Sequence, residues 1–446
     1  MSSRSLSGDS DLARSRRILY PAEDISDEPY WWRLARPRHI HRSRLHSAYD
    51  VVIIGAGYTG LRAALELSRG GATVLVCEHE EAGIGASRRN AGYLGRTLKN
   101  SFPELAQALG NEHARRIYQE LNDAYQTTWE FIRAEGIECF ATRKGRFVAA
   151  TSPAHLKRLE SEYEALHRAL GFPYSVVSKA NMAEEMGSPI YHGGIAIPDL
   201  GSLHPALYHE GLLKAALAAG TTVATGTEVL SFDRDRGGAF RVATVGENLK
   251  AKHIVVATNG YTPRHFRWLA RRVIPFKGYM AATDELDPSL LTELIPNDRT
   301  IVDSNINVDF FRTAPDSPRL LFGGSAGASL RTTQAIAEKL STLLVRAFPQ
   351  LRGTRLSAVW CGQCAGTFDM MPHMGSRNGA WYGLGYNFAG VPMGSYFGLR
   401  IAQEILGGVT ERSVFTRAPL KTLPFYGGSP WFVPLIMRYF AWRDRH

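Results

Sequence analysis

Cysteine is scarce in this chain of 446 residues, and long apolar runs are missing from it. The four cysteines (Cys77, Cys139, Cys361 and Cys364) are too few to predict a fold stapled by disulfides. No stretch approaches the roughly 18 uninterrupted apolar residues that cross a bilayer, so no transmembrane segment is predicted. The N-terminus lacks the apolar core of a secretory signal, and we therefore expect a cytoplasmic protein.

Metal-ligand spacing and internal repeats are also lacking. The 14 histidines are scattered, and none falls into a pattern that coordinates zinc or another transition metal. No metal site is therefore predicted. Low-complexity tracts are absent as well, and a composition of 44% hydrophobic and 21% charged residues argues against wholesale disorder.

Acidic residues are missing from positions 33–44, which hold five arginines in a chain of formal net charge +10. Such a run is compatible with nucleic acid, an acidic lipid surface or a partner protein, and also with a solvated arm, which we favour. Trp31 and Trp32 are expected to anchor this arm on the body. The aromatic tail at 431–442 is compatible with a membrane surface, but we favour a packed terminal helix or an oligomer contact.

The most informative segment is Tyr49–Gly60, an apolar strand that runs into Gly55, Gly57 and Gly60 with helical sequence behind it. A second buried strand ends in an acid, Glu78. In a dinucleotide site the three glycines allow the tight turn, the close approach of a pyrophosphate and the close packing of helix on strand. The acid accepts hydrogen bonds from a ribose. The order of these features predicts dinucleotide binding.

The rest of the chain supplies more strands and helices around this unit. Helices are predicted at 102–136, 153–170, 206–219, 332–348 and 395–406. Segments 272–283 and 308–323 suit an antiparallel sheet. We predict an N-terminal arm (1–47), a discontinuous dinucleotide domain (48–100, 195–268 and 365–412), a second domain (101–194 and 269–364) and a C-terminal tail (413–446).

Five spaced motifs resemble those of the D-amino-acid oxidase superfamily of flavoenzymes, and most closely its γ-glutamylputrescine oxidoreductase-like branch. They are the glycine turn with Glu78, the segments 85–92 and 255–262, the pair 273–283 with 309–324, and the segment from Trp360 to the turn at 385–390. The resemblance implies an α/β fold with a Rossmann-like FAD-binding domain and an α+β substrate domain built on an antiparallel sheet. It covers the chain from about residue 29 onward.

FAD fits this layout better than NAD does, because a longer cofactor needs a second set of close backbone approaches near the C-terminus. The resemblance implies that FAD contacts the two turns, the acid and nearby strand ends: Gly55, Gly57, Tyr58, Thr59, Gly60, Glu78, His79, Ser87, Arg89, Asn90, Gly92, Val229, Thr258, Gly385, Asn387, Gly390 and Val391. Relatives with covalent flavin carry a cysteine where this chain has Gly362, so we expect non-covalent FAD.

Substrate contacts are harder to assign. The resemblance places Tyr93, His204, Lys277, Tyr279, Phe311, Arg312 and Asn387 near the flavin, and Lys277, His204, Arg312 and Tyr279 are the candidates for catalytic roles. Arg312 would pair with a substrate carboxylate, or else form an ordinary ion pair. His204 before Pro205 is as compatible with a cap or a packed side chain, Lys277 with a solvated one, and Tyr279 and Phe311 with core.

The predicted activity is oxidation of the C–N bond of an amine or amino acid, with hydride transfer to flavin N5 and oxygen or a quinone as electron acceptor. Flavin amine oxidation requires no nucleophile, so the lack of a catalytic triad agrees with it. Two alternatives stay open: an FAD-dependent enzyme acting on an aminomethyl group of tRNA, and a flavoprotein partner without turnover. No RNA-binding module is visible, so nucleic acid is not the expected partner.

Overall fold

The computed structural model describes residues 25–40, 45–409, 411–416 and 419–443. Most of the predicted arm and the last residues of the tail lie outside these ranges. Ten α-helices lie within them: α1 (Tyr58–Arg69), α2 (Phe102–Leu109), α3 (Asn111–Ala134), α4 (Pro153–Leu170), α5 (Pro205–Ala218), α6 (Arg267–Ala270), α7 (Pro288–Leu294), α8 (Thr333–Ala347), α9 (Gly390–Leu406) and α10 (Val433–Arg443).

Eighteen strands lie in the same ranges. They are β1 (Ala48–Ile54), β2 (Val74–Cys77), β3 (Tyr93–Leu94), β4 (Arg146–Ala149), β5 (Ser175–Ser178), β6 (Gly193–Ile197), β7 (Gly201–Ser202), β8 (Thr222–Ala224), β9 (Val229–Arg234), β10 (Phe240–Thr244), β11 (Asn248–Val256), β12 (Ile274–Thr283), β13 (Thr300–Asp303), β14 (Phe310–Thr313), β15 (Leu320–Gly324), β16 (Leu356–Gly366), β17 (His373–Arg377) and β18 (Ala380–Leu384).

The first sheet is Rossmann-like. Its strand order is β17–β18–β11–β1–β2–β8, and β18, β11, β1, β2 and β8 run parallel, with the hairpin β9–β10 joined to β11. Successive residues of β1 point to opposite faces, and both faces are covered. Val51 and Ile53 pack under the helices, while Val52 and Ile54 pack on the hairpin side. This double burial explains the uninterrupted apolar runs.

Helices α1 and α9 pack closely against each other on the helical face of this sheet. A Cβ added at Gly398 of α9 would lie 2.4 Å from the carbonyl oxygen of Thr59 in α1, so only glycine permits this approach. The contact brings the N-termini of the two helices to the same side of the sheet.

The second sheet has the order β16–β12–β15–β14–β13–β4–β6–β5, and only its β13–β4 pair is parallel. Long strands β12 and β16 pair over their whole length. Helix α8 covers one face through Leu340 and Leu344, which join Phe311 and Phe322 in a separate core. Together the two sheets confirm the predicted fold class.

The boundaries differ from the predictions in three places. The predicted helix 102–136 is two helices, because Gly110 adopts a positive φ of 87° that ends α2 and precedes α3. Helix α9 begins at Gly390, five residues before the predicted start, since Pro392 lies in its first turn, where no backbone amide is needed as a donor within the helix. The predicted domain boundary at residue 195 falls inside β6, a strand of the second sheet.

Candidate functional site

A cavity of about 1160 Å³ lies between the carboxyl ends of the parallel strands and the second sheet. Pockets at such strand ends are where ligands bind in open α/β sheets. Fourteen of the 17 residues predicted to contact the cofactor line it, namely Gly55, Gly57, Tyr58, Thr59, Glu78, His79, Ser87, Arg89, Asn90, Val229, Thr258, Asn387, Gly390 and Val391. The cofactor role of each stays a prediction.

Three of the predicted cofactor residues, Gly60, Gly92 and Gly385, do not line the cavity but shape its wall. A Cβ at Gly60 would lie 2.0 Å from the carbonyl oxygen of Gly55, and one at Gly92 would lie 2.1 Å from that of Leu203. At Gly60 and Gly92 close packing of the backbone therefore requires glycine, and at Gly385 a Cβ would lie 2.4 Å from the side chain of Thr367.

Glu78 stands where the β2 strand ends, beside the turn from β1 into α1. Its carboxylate accepts a hydrogen bond from the amide of Ala56 at 2.8 Å. Burial raises the pKa of this carboxyl, and hydrogen bonds from backbone amides oppose the rise. The amides of the first turn of α1 have no intrahelical partners and face the same space, so they favour an anion there. The neighbouring carboxylate of Glu78 favours a hydroxyl group that donates to it.

The turn at Ser87–Asn90 is tied to α1 by side chains. The Tyr58 hydroxyl donates to the carbonyl oxygen of Ser87 at 2.5 Å, and the Ser87 hydroxyl accepts from the Tyr58 amide at 3.2 Å. Asn90 donates to the Tyr58 hydroxyl and accepts from the Gly92 amide at 2.8 Å. The two glycine-rich turns form one unit as a result.

Arg89 joins this unit to the N-terminal segment. Its guanidinium lies 4.5 Å from the ring centre of Trp32, and it donates to the carbonyl oxygens of Ile84 and Cys361. Trp31 and Trp32 are buried, as expected for anchors. Tyr30, Trp31 and Trp32 thus pack on the body, while Arg33, Arg36 and Arg38 of the predicted solvated arm are exposed.

The turn that enters α9 provides a second backbone wall. Asn387 and Phe388 have positive φ angles of 44° and 76°, and the Asn387 side chain donates to the carbonyl oxygen of Gly385 at 2.7 Å. The amide of Gly385 donates to the Oδ1 atom of Asn259, which follows β11. The first turn of α9 lines the cavity with no side-chain cap, and its positive end faces the cavity.

Lys277 and Tyr279 of β12 line the cavity, as predicted for a substrate pocket. The Tyr279 hydroxyl is engaged elsewhere, because it donates to the carbonyl oxygen of Ala328 at 2.7 Å and accepts from the Leu330 amide. Lys277 is exposed at the cavity wall. Of the two, Lys277 has the freer side chain for a ligand, and its role stays a prediction.

His204 and Arg312 do not line the cavity, which corrects the prediction for both. His204 caps α5 by accepting from the Leu207 amide at 3.2 Å, and its burial lowers its pKa to about 4. Arg312 donates to the carbonyl oxygens of Ala91 and Leu203, and burial lowers its pKa to about 10. Both side chains hold the Gly92–Leu203 region together.

Of the two aromatic candidates Tyr93 and Phe311, one lines the cavity and the other does not. Tyr93 lines the cavity, and its hydroxyl donates to the carbonyl oxygen of Phe311 at 2.7 Å. Phe311 itself is fully buried against Phe322 and Phe348, which corrects its predicted place near the flavin. Its neighbour Phe310 lines the cavity instead, because successive residues of a strand point to opposite faces.

Arg146, the first residue of β4, was not among the residues predicted for the site. Its guanidinium is buried, lines the cavity and lies 5.1 Å from the ring centre of Tyr93. Among the described residues it donates hydrogen bonds to neutral oxygens, those of Thr300, Thr97 and Leu94, at 3.3 to 3.4 Å. The only signal in the sequence was an arginine at the start of an apolar strand, Gly145–Ala150, where a cation needs a reason.

Comparison with known proteins places the site in a family. The family of FAD dependent oxidoreductases matches residues 50–404, most of the chain. The chain belongs to this family. As an FAD dependent oxidoreductase it uses FAD as its cofactor. The two backbone turns, the acid at Glu78 and the N-termini of α1 and α9, whose N-cap residues make no side-chain hydrogen bond, fit such a cofactor.

The alignments of this FAD dependent oxidoreductase with two relatives cover most of both chains. It is 29% identical to the probable oxidoreductase OrdL of Haemophilus influenzae over 385 residues, 85% of this chain and 87% of that protein. It is 28% identical to the γ-glutamylputrescine oxidoreductase of Escherichia coli over 401 residues, 89% of this chain and 93% of the relative.

Solved structures share the fold. Glycine oxidase from Geobacillus kaustophilus superposes with a TM-score of 0.69 at 23% identity, and the match covers 84% of this chain and all of that one. L-proline dehydrogenase from P.horikoshii superposes with a TM-score of 0.67 at 16% identity, over 88% of this chain and 99% of that one. At these identities the likeness shows the fold alone.

Proposed function

We propose that this enzyme oxidises the C–N bond of an amine that also carries a carboxylate, such as an amino acid or an amino-acid conjugate. The bound flavin supplies the hydride acceptor at N5, and the resulting imine hydrolyses in water. The protein has to bind the amine, orient its C–H bond and keep bulk water away.

The observation that carries the proposal is the buried guanidinium of Arg146. Within the described part of the chain no carboxylate lies within ion-pair distance of it, although almost all buried charges in proteins are paired. A planar guanidinium binds a carboxylate with two parallel hydrogen bonds. A substrate carboxylate would therefore supply the missing counter-charge and fix one end of the substrate.

Neighbouring side chains support the assignment. Tyr93 lies under the guanidinium, and Tyr163, whose pKa burial raises to about 12, stays a neutral hydroxyl at the same end of the cavity. Lys277 also lines the cavity, from strand β12 where it pairs with β16. One relative is named for γ-glutamylputrescine, a compound that combines an amine with a carboxylate.

The test is anaerobic reduction of the purified holoenzyme by matched pairs of amines, one member with a carboxylate and one without. Suitable pairs are sarcosine with dimethylamine, glycine with methylamine, and γ-glutamylputrescine with N-acetylputrescine. Loss of the oxidised flavin band with the carboxylated member alone is the expected result. Equal reduction by both members would remove Arg146 from substrate binding, and reduction by neither would favour a flavoprotein without amine turnover.

A tRNA substrate receives less support. A bifunctional tRNA-modifying protein of Chromohalobacter salexigens matches this chain at 30% identity over 247 residues, but only 32% of its length is covered. Two arginines of the basic segment are engaged within the protein, since Arg36 pairs with Glu28 and Arg38 with Glu210. Salt-sensitive binding of tRNA by the purified protein would revive this alternative.

Non-covalent attachment of FAD is part of the proposal. Gly362 lines the cavity between Cys361 and Cys364, and burial raises the pKa of the Cys364 thiol to about 12. The thiol form is a poor nucleophile, so it does not favour a thioether to the flavin. Acid precipitation should release all of the flavin into the supernatant, and a yellow pellet would contradict this.

A further inference from the structure

The C-terminal segment has an unusual composition. Between Glu411 and Asp444 the sequence has no acidic residue, while it has the cations Arg412, Arg417, Lys421, Arg438 and Arg443. The same segment is rich in aromatic residues and ends in helix α10. Acid-free stretches that combine aromatic residues with cations are typical of protein segments that bind anionic lipid surfaces.

One face of α10 packs on the body. A Cβ at Gly327, in the loop after β15, would lie 2.7 Å from Met437 and 3.0 Å from Val433. Phe440, one turn further on, lines the wall of the large cavity. Residues spaced three and four apart share one face of a helix, so these three side chains define the inner face.

The outer face carries large apolar side chains that are exposed. The exposed fractions are 73% for Trp431, 60% for Leu435, 55% for Tyr439 and 56% for Trp442. Tyr439 and Trp442 stack with ring centres 6.1 Å apart. We call these four residues the outer stripe. Leu435, Tyr439 and Trp442 align at helical spacing on α10, and Trp431 lies in the turn just before it. Isolated exposed apolar residues are ordinary, but four that follow one another in this way mark an interaction surface.

We propose that α10 docks this protein on an anionic membrane surface, with the outer stripe in the lipid interface and Arg438 among the headgroups. Tryptophan and tyrosine are enriched at that depth of a bilayer because they are apolar with one polar atom. The described residues include no helix long and apolar enough to cross a membrane, so the helix would lie along the surface.

A second copy of the chain suits the outer stripe less well. A symmetric dimer would place the same patch on both subunits, so two acid-free, cationic surfaces of a protein of net charge +10 would meet. A nucleic acid would satisfy the charge but leave the apolar side chains unused. An anionic bilayer satisfies both the charge and the apolar surface.

The experiment is co-sedimentation of the full-length holoenzyme with vesicles of phosphatidylcholine alone, or with about one third phosphatidylglycerol. We expect binding to the anionic vesicles, weakened by salt, and little binding to the neutral ones. The W431S/L435S/Y439S variant should lower the vesicle-bound fraction at least about tenfold. Arg438→Glu, which keeps the stripe, should weaken binding about fivefold or more. Flavin content checks that each variant is folded.

The matched control is Leu109→Ser, which removes a leucine that is 50% exposed at the end of α2 and should bind vesicles like the wild type. Failure of the wild type to sediment with anionic vesicles would overturn the proposal, as would equal loss of binding in the control. A wild-type dimer that the triple substitution converts into a monomer would assign the stripe to a second copy instead. None of these readouts depends on the substrate.

Discussion

The two ends of the cavity differ in what builds them. At the first sheet the wall is backbone, contributed by the turn from β1 into α1, the turn at Ser87–Asn90 and the turn into α9. At the second sheet the wall is side chains from strands far apart in the chain, such as Arg146 of β4 and Lys277 of β12. A backbone wall depends on close packing and tolerates few substitutions, whereas a side-chain wall can change one residue at a time and so sets specificity.

The largest effect should come from breaking the backbone wall at Gly60. Gly60→Ala places a methyl group 2.0 Å from the carbonyl oxygen of Gly55, and we expect a loss of more than about 4 kcal/mol in the free energy of unfolding. The protein should be recovered with little or no FAD. Chemical denaturation and flavin content measure this. Gly427→Ala, where the added Cβ meets nothing within 4 Å, is the control and should behave like the wild type.

The side-chain wall is tested at Arg146. Arg146→Met should raise the KM for a carboxylated amine about 100-fold while the limiting rate of flavin reduction changes far less, because the lost contact is the same in ground state and transition state. Stopped-flow reduction separates the two constants. Arg146→Lys should keep part of the affinity, and the control Arg143→Met, outside the cavity lining, should behave like the wild type. An unchanged KM in Arg146→Met would show that the guanidinium serves the fold alone.

A substitution of His204 tests whether this residue serves the stability of the fold or the reaction itself. Burial holds its pKa at about 4, below its value in the unfolded chain, so the unfolded state binds the proton first as pH falls. This group's share of stability is complete above about pH 6.5 and is lost as pH falls toward 4, by about 2 kcal/mol between pH 7 and pH 5. His204→Asn, which keeps a capping acceptor, should remove that loss.

Paired denaturation curves at pH 7 and pH 5 measure the difference between His204→Asn and the wild type. His39→Asn on the surface is the control and should show the wild-type loss. Flavin reduction by His204→Asn should stay within about threefold of the wild type, since removal of a general base costs a hundredfold or more. A hundredfold fall in rate would return His204 to the chemistry.

The smallest effect is expected at Glu78, where a side chain assists the backbone wall. Glu78→Gln keeps an acceptor for the Ala56 amide but loses the charge, and we expect the Kd for FAD to rise about tenfold. Titration of apoprotein with FAD, followed by flavin fluorescence, measures it. Glu80→Gln, also at the cavity but exposed, is the control. A change in Glu80→Gln as large as that in Glu78→Gln would show that only net charge matters.

The same contrast explains what the sequence could predict. Backbone turns need glycine at fixed spacing, so Gly55, Gly57 and Gly60 and the acid at Glu78 signalled the cofactor end from one segment. Strand alternation decided the substrate end, and a shift of one residue separates Phe310, which lines the cavity, from the predicted Phe311. The pairing of Arg146 with Thr300 depends on the parallel β4–β13 register, which joins segments about 150 residues apart. No local sequence pattern indicates that pairing.

The electron acceptor and the cellular compartment of the enzyme stay predictions.

The strand order of the first sheet also sets a schedule for synthesis. Strand β11 lies between β1 and β18, and the cofactor wall is completed only by Ala380–Leu384 and α9, in the last fifth of the chain. A growing chain on the ribosome can pair β1 with β2 early, yet it cannot close the flavin site until residue 406 has left the exit tunnel. The flavin site can therefore close only after α9 has been made, and until then the edge of β11 that later pairs with β18 is unpaired.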